Sequence, residues 1–284
     1  MKTLLVAVAA ILLAGRGPGE YDSAEKEEIR KTLQFAGGTG SRQIIVDNIN
    51  GSINVAGYDG SDVQLVAHRT SYGNSTDGLR KSKEKITLEI KEEPGKLVLY
   101  VNTPWRCDDR SVSYRRRDDY GFDADFDFEL KVPWKTDFSL RTVNKGEITV
   151  ANMNGSFEVS NVNGGIEMSG ISGDGLVTTV NGEVLVSFRK NPASRCGFRT
   201  VNGSIEVRFP DELSADLKLK TFNGEVYSDF DVTGLPRTSI GTERIGRRTV
   251  YRGDEFLAVR AGAGGPEMLF DTLNGDIRIL KTHN

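Results

Sequence analysis

Asn161-Val162-Asn163-Gly164-Gly165-Ile166-Glu167-Met168 is followed eighteen residues on by Thr179-Val180-Asn181-Gly182-Glu183-Val184-Leu185-Val186, and then by Thr200-Val201-Asn202-Gly203-Ser204-Ile205-Glu206-Val207. Further copies stand at Asn48-Ile49-Asn50-Gly51-Ser52-Ile53-Asn54-Val55, at Asn152-Met153-Asn154-Gly155-Ser156-Phe157-Glu158-Val159 and at Thr221-Phe222-Asn223-Gly224-Glu225-Val226. The last is Thr272-Leu273-Asn274-Gly275-Asp276-Ile277-Arg278-Ile279. Gly146, Gly155, Gly164, Gly173 and Gly182 are nine residues apart, and Gly203 and Gly224 follow at steps of 21. A fixed internal period marks a repeat architecture, in which each unit buries its apolar face against its neighbours. A strand rises about 3.3 Å per residue, so nine residues make one strand and one corner, and two such units make a full turn of a two-sided coil.

Asn-Gly between alternating apolar residues is also a strong hairpin signal, so an antiparallel meander is the rival. Side-chain parity separates the two. In a two-residue hairpin, the residues before Asn and after Gly share a face. Here Val162, Val180 and Val201 precede Asn, whereas Gly165, Glu183 and Ser204 follow Gly. That favours an all-β fold, a β-solenoid resembling a parallel β-helix, built of Asn-Gly rungs with the valines facing inward. On this reading Val180→Asp disrupts the stack far more than Glu183→Lys. Glycine at the corners answers a need for positive φ, and Asn tolerates the left-handed region. By analogy with solenoids in general, stacked Asn side chains on successive rungs are expected to hydrogen-bond along the axis. The expected core includes Ile148, Val150, Phe157, Val159, Ile166, Met168, Val184 and Val186, each contributing about 1.5–3 kcal/mol when buried.

Outward from the repeat, the chain divides into three. Residues 1–19 read as a signal peptide: Lys2, the apolar run Leu4–Ala14, and small residues with cleavage after Gly19. Eleven apolar residues span roughly 16 Å as a helix, short of a bilayer core, so no stable membrane span is expected. Residues 27–135 form an N-terminal β region. It holds a polar stretch at 71–84 with room for a short helix, a hairpin about Glu93-Pro94-Gly95-Lys96, and a polar insertion at 103–121. In the strand that follows, Phe126, Phe128, Leu130 and Val132 face inward. Residues 136–284 carry the regular rungs, an Arg-rich excursion at 232–254, and a final copy at 271–280 read as a capping rung.

The 32 glycines against 8 prolines, among 284 residues, are turn residues of something ordered. A net charge of −3 argues against a nucleic-acid partner. Arg115-Arg116-Arg117 is answered at once by Asp118 and Asp119 and reads as a solvated loop. Cys107 and Cys196 are candidates for a disulfide if the chain is exported.

With these features in place, the chain resembles the bacterial adhesin-like family of β-strand-repeat domains of unknown function, and more loosely the β-helical adhesin heads. The resemblance rests on Val46-Asp47-Asn48-Ile49-Asn50-Gly51-Ser52-Ile53-Asn54-Val55-Ala56-Gly57-Tyr58, the strand ending Val132-Pro133, the Val-Asn-Gly copies and Leu273-Asn274-Gly275-Asp276-Ile277-Arg278-Ile279, and spans about residues 27–280. It implies an exported β-solenoid of the cell envelope and supplies no catalytic residues.

Tests for chemistry return little. Asp118, Asp119, Asp123, Asp125, Asp127 and Glu129 have carboxylates suited to Ca²⁺, yet Asp125, Asp127 and Glu129 are the outward positions of an amphipathic strand, and no EF-type loop is present. The reading is therefore no metal, no cofactor and no catalytic residue. Asp174, Glu183, Glu206 and Glu225 sit on repeat units as surface positions rather than as an acid/base pair. His68 and His283 are the two histidines. Tyr58, Tyr72, Tyr114, Tyr120, Trp105 and Trp134 fall mainly in the insertions, where rings can serve glycans. The expected function is a non-enzymatic adhesin or interaction module, periplasmic or extracellular, with an envelope protein or glycan as partner. An envelope-stress regulatory component and a polysaccharide-active β-helix enzyme are the alternatives.

Overall fold

In a computed structural model of the chain, the described residues are 5–7, 21–37, 40–106, 120–236, 241–245, 248–252 and 256–282, with 5–7, 241–245 and 248–252 described by backbone alone. Alternation of apolar and polar residues yields short strands with one buried face, as in Val184–Phe188, where every second side chain is buried.

Along the chain, β1 (Leu5–Ala7), β2 (Ser23–Gln34), β3 (Gln43–Asp47), β4 (Ile53–Tyr58) and β5 (Asp62–Gly73) precede the helix α1 (Thr76–Lys85). Then come β6 (Thr87–Glu93), β7 (Lys96–Asn102), β8 (Phe122–Pro133), β9 (Asp137–Arg141), β10 (Ile148–Ala151), β11 (Phe157–Ser160) and β12 (Ile166–Ile171). The series continues with β13 (Gly175–Thr178), β14 (Val184–Phe188), β15 (Cys196–Arg199), β16 (Ile205–Phe209), β17 (Ala215–Asn223) and β18 (Val226–Ser228). The last six are β19 (Val232–Gly234), β20 (Gly241–Ile245), β21 (Arg248–Arg252), β22 (Leu257–Ala261), β23 (Glu267–Asn274) and β24 (Ile277–Lys281).

Apart from β20 and β21, which pair with each other in a two-stranded sheet, these strands form two long mixed sheets. The first runs β1-β2-β5-β8-β4-β10-β12-β14-β16-β24-β18, and the second β19-β22-β17-β23-β15-β13-β11-β9-β3-β7-β6. Between β9 and β16 each strand crosses to the opposite sheet from the one before it. Ile148 pairs with Ile166, Ile166 with Val184 and Val184 with Ile205, all in parallel. The Asn-Gly segments therefore carry the chain between sheets and close no hairpin. The glycines nine apart fall alternately on two edges, which is why the pairing interval is eighteen residues.

Between the sheets lies the core. All eight expected repeat residues, from Ile148 to Val186, are buried, as are Phe126, Phe128, Leu130 and Val132. Phenylalanines run through it: Phe157 meets Phe138 and Phe188 at ring separations of 5.8 and 6.5 Å, and Phe188 stacks on Phe209 at 5.2 Å.

One end of the stack is covered by antiparallel strands. β8 pairs β5, which pairs β2, on the first sheet, and β7 pairs β6 as a hairpin on the second. The polar stretch at 71–84 supplies α1, capped by the Ser75 hydroxyl accepting from Gly78 N at 3.0 Å. Arg106 anchors the start of the insertion at this end. Its guanidinium pairs with buried Asp47, donates to Val101 O at 2.7 Å and lies 4.2 Å from the centre of the Tyr100 ring.

The final copy is not a capping rung. β23 pairs β15 on one side and β17 on the other, and β24 lies between β16 and β18. The C-terminal strands thus fill a slot inside the stack, and the rung made by β17 and β18 is the last parallel one, with antiparallel β22 and β19 beyond β17.

Candidate interaction ridge

Apart from that between β7 and β8, the passages from the second sheet to the first run through the same short sequence, and each position in it has one task. Two residues before Asn, the side chain turns inward and donates to a glycine carbonyl of the neighbouring rung. Thr142 Oγ1 reaches Gly51 O at 2.8 Å, Thr179 Gly164 O at 2.9 Å, Thr200 Gly182 O at 3.0 Å, Thr272 Gly203 O at 3.0 Å and Thr221 Gly275 O at 2.8 Å. Asn161 Nδ2 does the same for Gly146 O at 2.9 Å. A carbonyl at a tight corner would otherwise lack a partner, and burying it unpaired is costly.

The asparagines form a second row. Asn144 Nδ2 donates to Asn50 Oδ1 at 3.3 Å, Asn163 to Asn144 and Asn181 to Asn163 at 2.9 Å, and Asn202 to Asn181 at 2.8 Å. Asn274 donates to Asn202, and Asn223 to Asn274, both at 2.7 Å. All six bonds point one way, so the amide dipoles add. At the donor end, Asn50 Nδ2 faces the buried Asp123 carboxylate at 3.2 and 3.3 Å.

Glycine's task is close approach. A Cβ on Gly164, Gly182, Gly203, Gly275 or Gly224 would lie 2.0–2.2 Å from a glycine carbonyl oxygen of the adjacent rung, and one on Gly146 would lie 2.3 Å from Gly51 C. Gly51 adds φ of 109°. The Asn of the Asn-Gly corners is not left-handed: among the described residues the non-glycine residues with positive φ are Lys145 and Asn152, which stand outside that position. Lys145 is an extra residue between Asn144 and Gly146, and its turn absorbs the insertion. Asn154, Gly155 and Gly173 lie at the opposite edge, where Asn154 bridges Ser172 and a Cβ on Gly173 would meet Gly155 O at 2.2 Å.

The position before Asn faces out, contrary to the inward orientation expected for Val162, Val180 and Val201. The threonine before it points in to reach the glycine carbonyl, so strand alternation turns the valine to solvent. Ile49 and Val143 are buried at the covered end, Val162 is half-buried, and exposure then rises through Val180 (38%), Val201 (38%) and Leu273 (46%) to Phe222 (76%). An apolar ridge therefore runs over one corner of the stack. Beside it, Thr178 pairs with Arg199, Arg199 with Asp271 and Asp271 with Lys220 across β13, β15, β23 and β17. This row and Val201, Leu273 and Phe222 of the ridge line a groove of about 670 Å³.

The acidic run separates rather than converging on a cation. Asp118 and Asp119 lie outside the described residues. Asp125 accepts from Tyr72 Oη at 2.9 Å and lies 3.4 Å from Lys145 Nζ, and burial together with that carboxylate raises the Tyr72 pKa. Asp127 accepts from Ser52 N and Oγ, and Glu129 lies 3.6 Å from His68. Among the described residues no three His, Cys, Asp or Glu side chains are grouped to hold a metal. Cys107 lies outside the described residues. Cys196 is a buried thiol in β15, its pKa pushed up by burial to about 11. Tyr114 is outside the described residues, while Trp105 is buried against Tyr120 and Phe122 at 5.6 and 5.9 Å. No helix of the described residues is long and apolar enough to cross a membrane.

Comparison with solved structures finds a "putative cell adhesion protein" from Clostridium sporogenes, 13% identical, covering 91% of this chain and 100% of its own, with a TM-score of 0.43. Comparison with curated proteins gives no match. The family model described as Toastrack DUF4097 matches residues 136–250, a span that holds the regular rungs but stops short of β22 to β24. The resemblance carried by the Val-Asn-Gly copies thus holds over that span, where the chain is similar to the Toastrack family of unknown function.

Proposed function

We propose that the chain is an exported, non-enzymatic β-solenoid of the cell envelope, and that its ridge and groove hold an envelope protein or glycan. The carrying observation is the row Val180, Val201, Leu273 and Phe222, large apolar side chains left exposed in register where the threonine row already satisfies the fold. Contiguous exposed apolar rows mark contact surfaces. The charged row of Arg199, Asp271 and Lys220 beside it supplies polar selectivity. The solenoid reading is supported by the alternation of strands between two sheets and by the asparagine and threonine rows that join successive corners.

A photo-reactive side chain at Val201, incubated with envelope fractions, is expected to give a discrete adduct that the same probe at exposed Glu158 on β11 does not. Equal labelling at both sites, or none at Val201, would sink the reading. Export is tested separately. The mature chain is expected to begin at Glu20, and cleavage there would remove β1 and leave charged β2 as the outer strand of the first sheet.

A further inference from the structure

The two ends of the stack are finished differently. At the covered end the outer strands, once the proposed cleavage after Gly19 has removed β1, are charged: β2 reads Ser-Ala-Glu-Lys-Glu-Glu-Ile-Arg-Lys and β6 Thr-Leu-Glu-Ile-Lys-Glu-Glu. Charged edges are how sheet proteins prevent edge-to-edge pairing. At the far end the outer strands carry no charge: β18 is Val-Tyr-Ser and β19 Val-Thr-Gly.

Among the described residues this end also lacks the cover given to other rungs. Val226 is in register with Ile277, which is fully buried, yet Val226 is 36% exposed. Phe222, Tyr227, Val232 and Leu257 are exposed around it. β22 runs alongside Ala215–Leu219 of β17 and stops, so Lys220 to Ser228 has no strand on its outer side among the described residues. Each internal rung receives a threonine hydroxyl, or at Gly146 the Asn161 amide, on its corner glycine carbonyl and an asparagine amide on its asparagine oxygen. Among the described residues nothing donates to Gly224 O or Asn223 Oδ1.

We propose that this open rung is a self-association surface, and that two copies join tail to tail about a two-fold axis at Tyr227, continuing the first sheet from one copy into the other. Ile277 N donates to Glu225 O and Asp229 N to Ile279 O, so alternate residues of β18 face β24, and the backbone groups of Val226 and Ser228 face outward. An antiparallel partner about Tyr227 sets Val226 opposite Ser228 of the second copy and satisfies both. The assembly closes at two copies, because the charged covered ends offer no matching edge and a two-fold contact uses each tail once. This surface is at the end of the stack, and the inference goes beyond the ridge reading without depending on it.

Sedimentation velocity of the full chain across a wide concentration range is expected to show monomer and dimer and nothing larger. Val226→Lys places like charges across the contact and is expected to weaken dimerisation by more than about tenfold, with circular dichroism and melting unchanged because the site is exposed in the monomer. Tyr227→Cys supplies a register test. Non-hydrogen-bonded antiparallel pairs bring Cα atoms to about 4.5 Å, within disulfide reach, so mild oxidation should yield a covalent dimer that wild type and Thr233→Cys do not. A monomer at every concentration, a ladder of larger species, or a dimer indifferent to Val226→Lys would overturn the proposal. So would slow amide exchange at Val226 and Ser228 in a monomer, which would show that another part of the same chain covers the edge.

Discussion

A corner glycine is fixed by the rung beside it, since Gly182 has Gly164 O only 2.2 Å from where a methyl would sit. Gly182→Ala is therefore expected to cost about 3 kcal/mol, whereas Gly234→Ala, with nothing within 4 Å, should leave the midpoint of urea unfolding in place. The outward turn of Val180 reverses what its apolar character suggests. Val180→Asp should stay within about 0.5 kcal/mol of wild type, and Val184→Asp, at a fully buried site, should cost at least about 4 kcal/mol in the same melts. Cys196 gives a pH signature. Its folded pKa of about 11 exceeds the unfolded value of 9.0, so its contribution is intact below pH 9 and is lost as pH rises towards 11. Cys196→Ala should flatten stability over that window by about 2 kcal/mol. A chain bridged through Cys107 would show no such titration, and alkylation after denaturation would find neither thiol.

The asparagine row behaves as an element in its own right, because each amide inside it, from Asn144 to Asn274, both donates and accepts. Asn202→Ala removes two bonds from an exposed row and should cost about 1 kcal/mol. Asn202→Asp should cost more at neutral pH, since a carboxylate still accepts from Asn274 but turns an acceptor on Asn181 Oδ1. Acidification through the carboxylate range restores a donor and should narrow the gap between the two variants in thermal melts. The row was legible in the sequence because Asn recurs at one place in every copy. The strands and their buried faces were legible too, since Ile148 to Val186 alternate without interruption. The ridge was not. Val before Asn and Val after Gly are chemically alike, and only the threonine's bond to a carbonyl on another rung decides which of them faces in. That partner is fifteen to eighteen residues away for Thr179 and Thr200, and 69 for Thr272.

At the scale of the whole molecule, order along the chain and order in space part company once. Leu273-Asn274-Gly275 matches the other corners so closely that it fits any slot, and nothing in its residues shows that it occupies an interior one. Its place is settled by β17, which pairs with it over Asp216 to Asn223, and by β15 on the other side. A chain ending at Gly265 should therefore lose more than a tail: with β23 and β24 gone, β17 and β18 have no parallel neighbours, and hydrogen exchange should show residues 215–228 unprotected along with β22. Retained protection there would show that β16 and β18 can close the gap directly. The same arrangement bears on biogenesis. A nascent polypeptide emerges amino end first, and its first 228 residues already contain the rung of β17 and β18, but the piece on which that rung rests, β23 and β24, is made after it. Its docking is thereby deferred until residues 267–281 have also been synthesised.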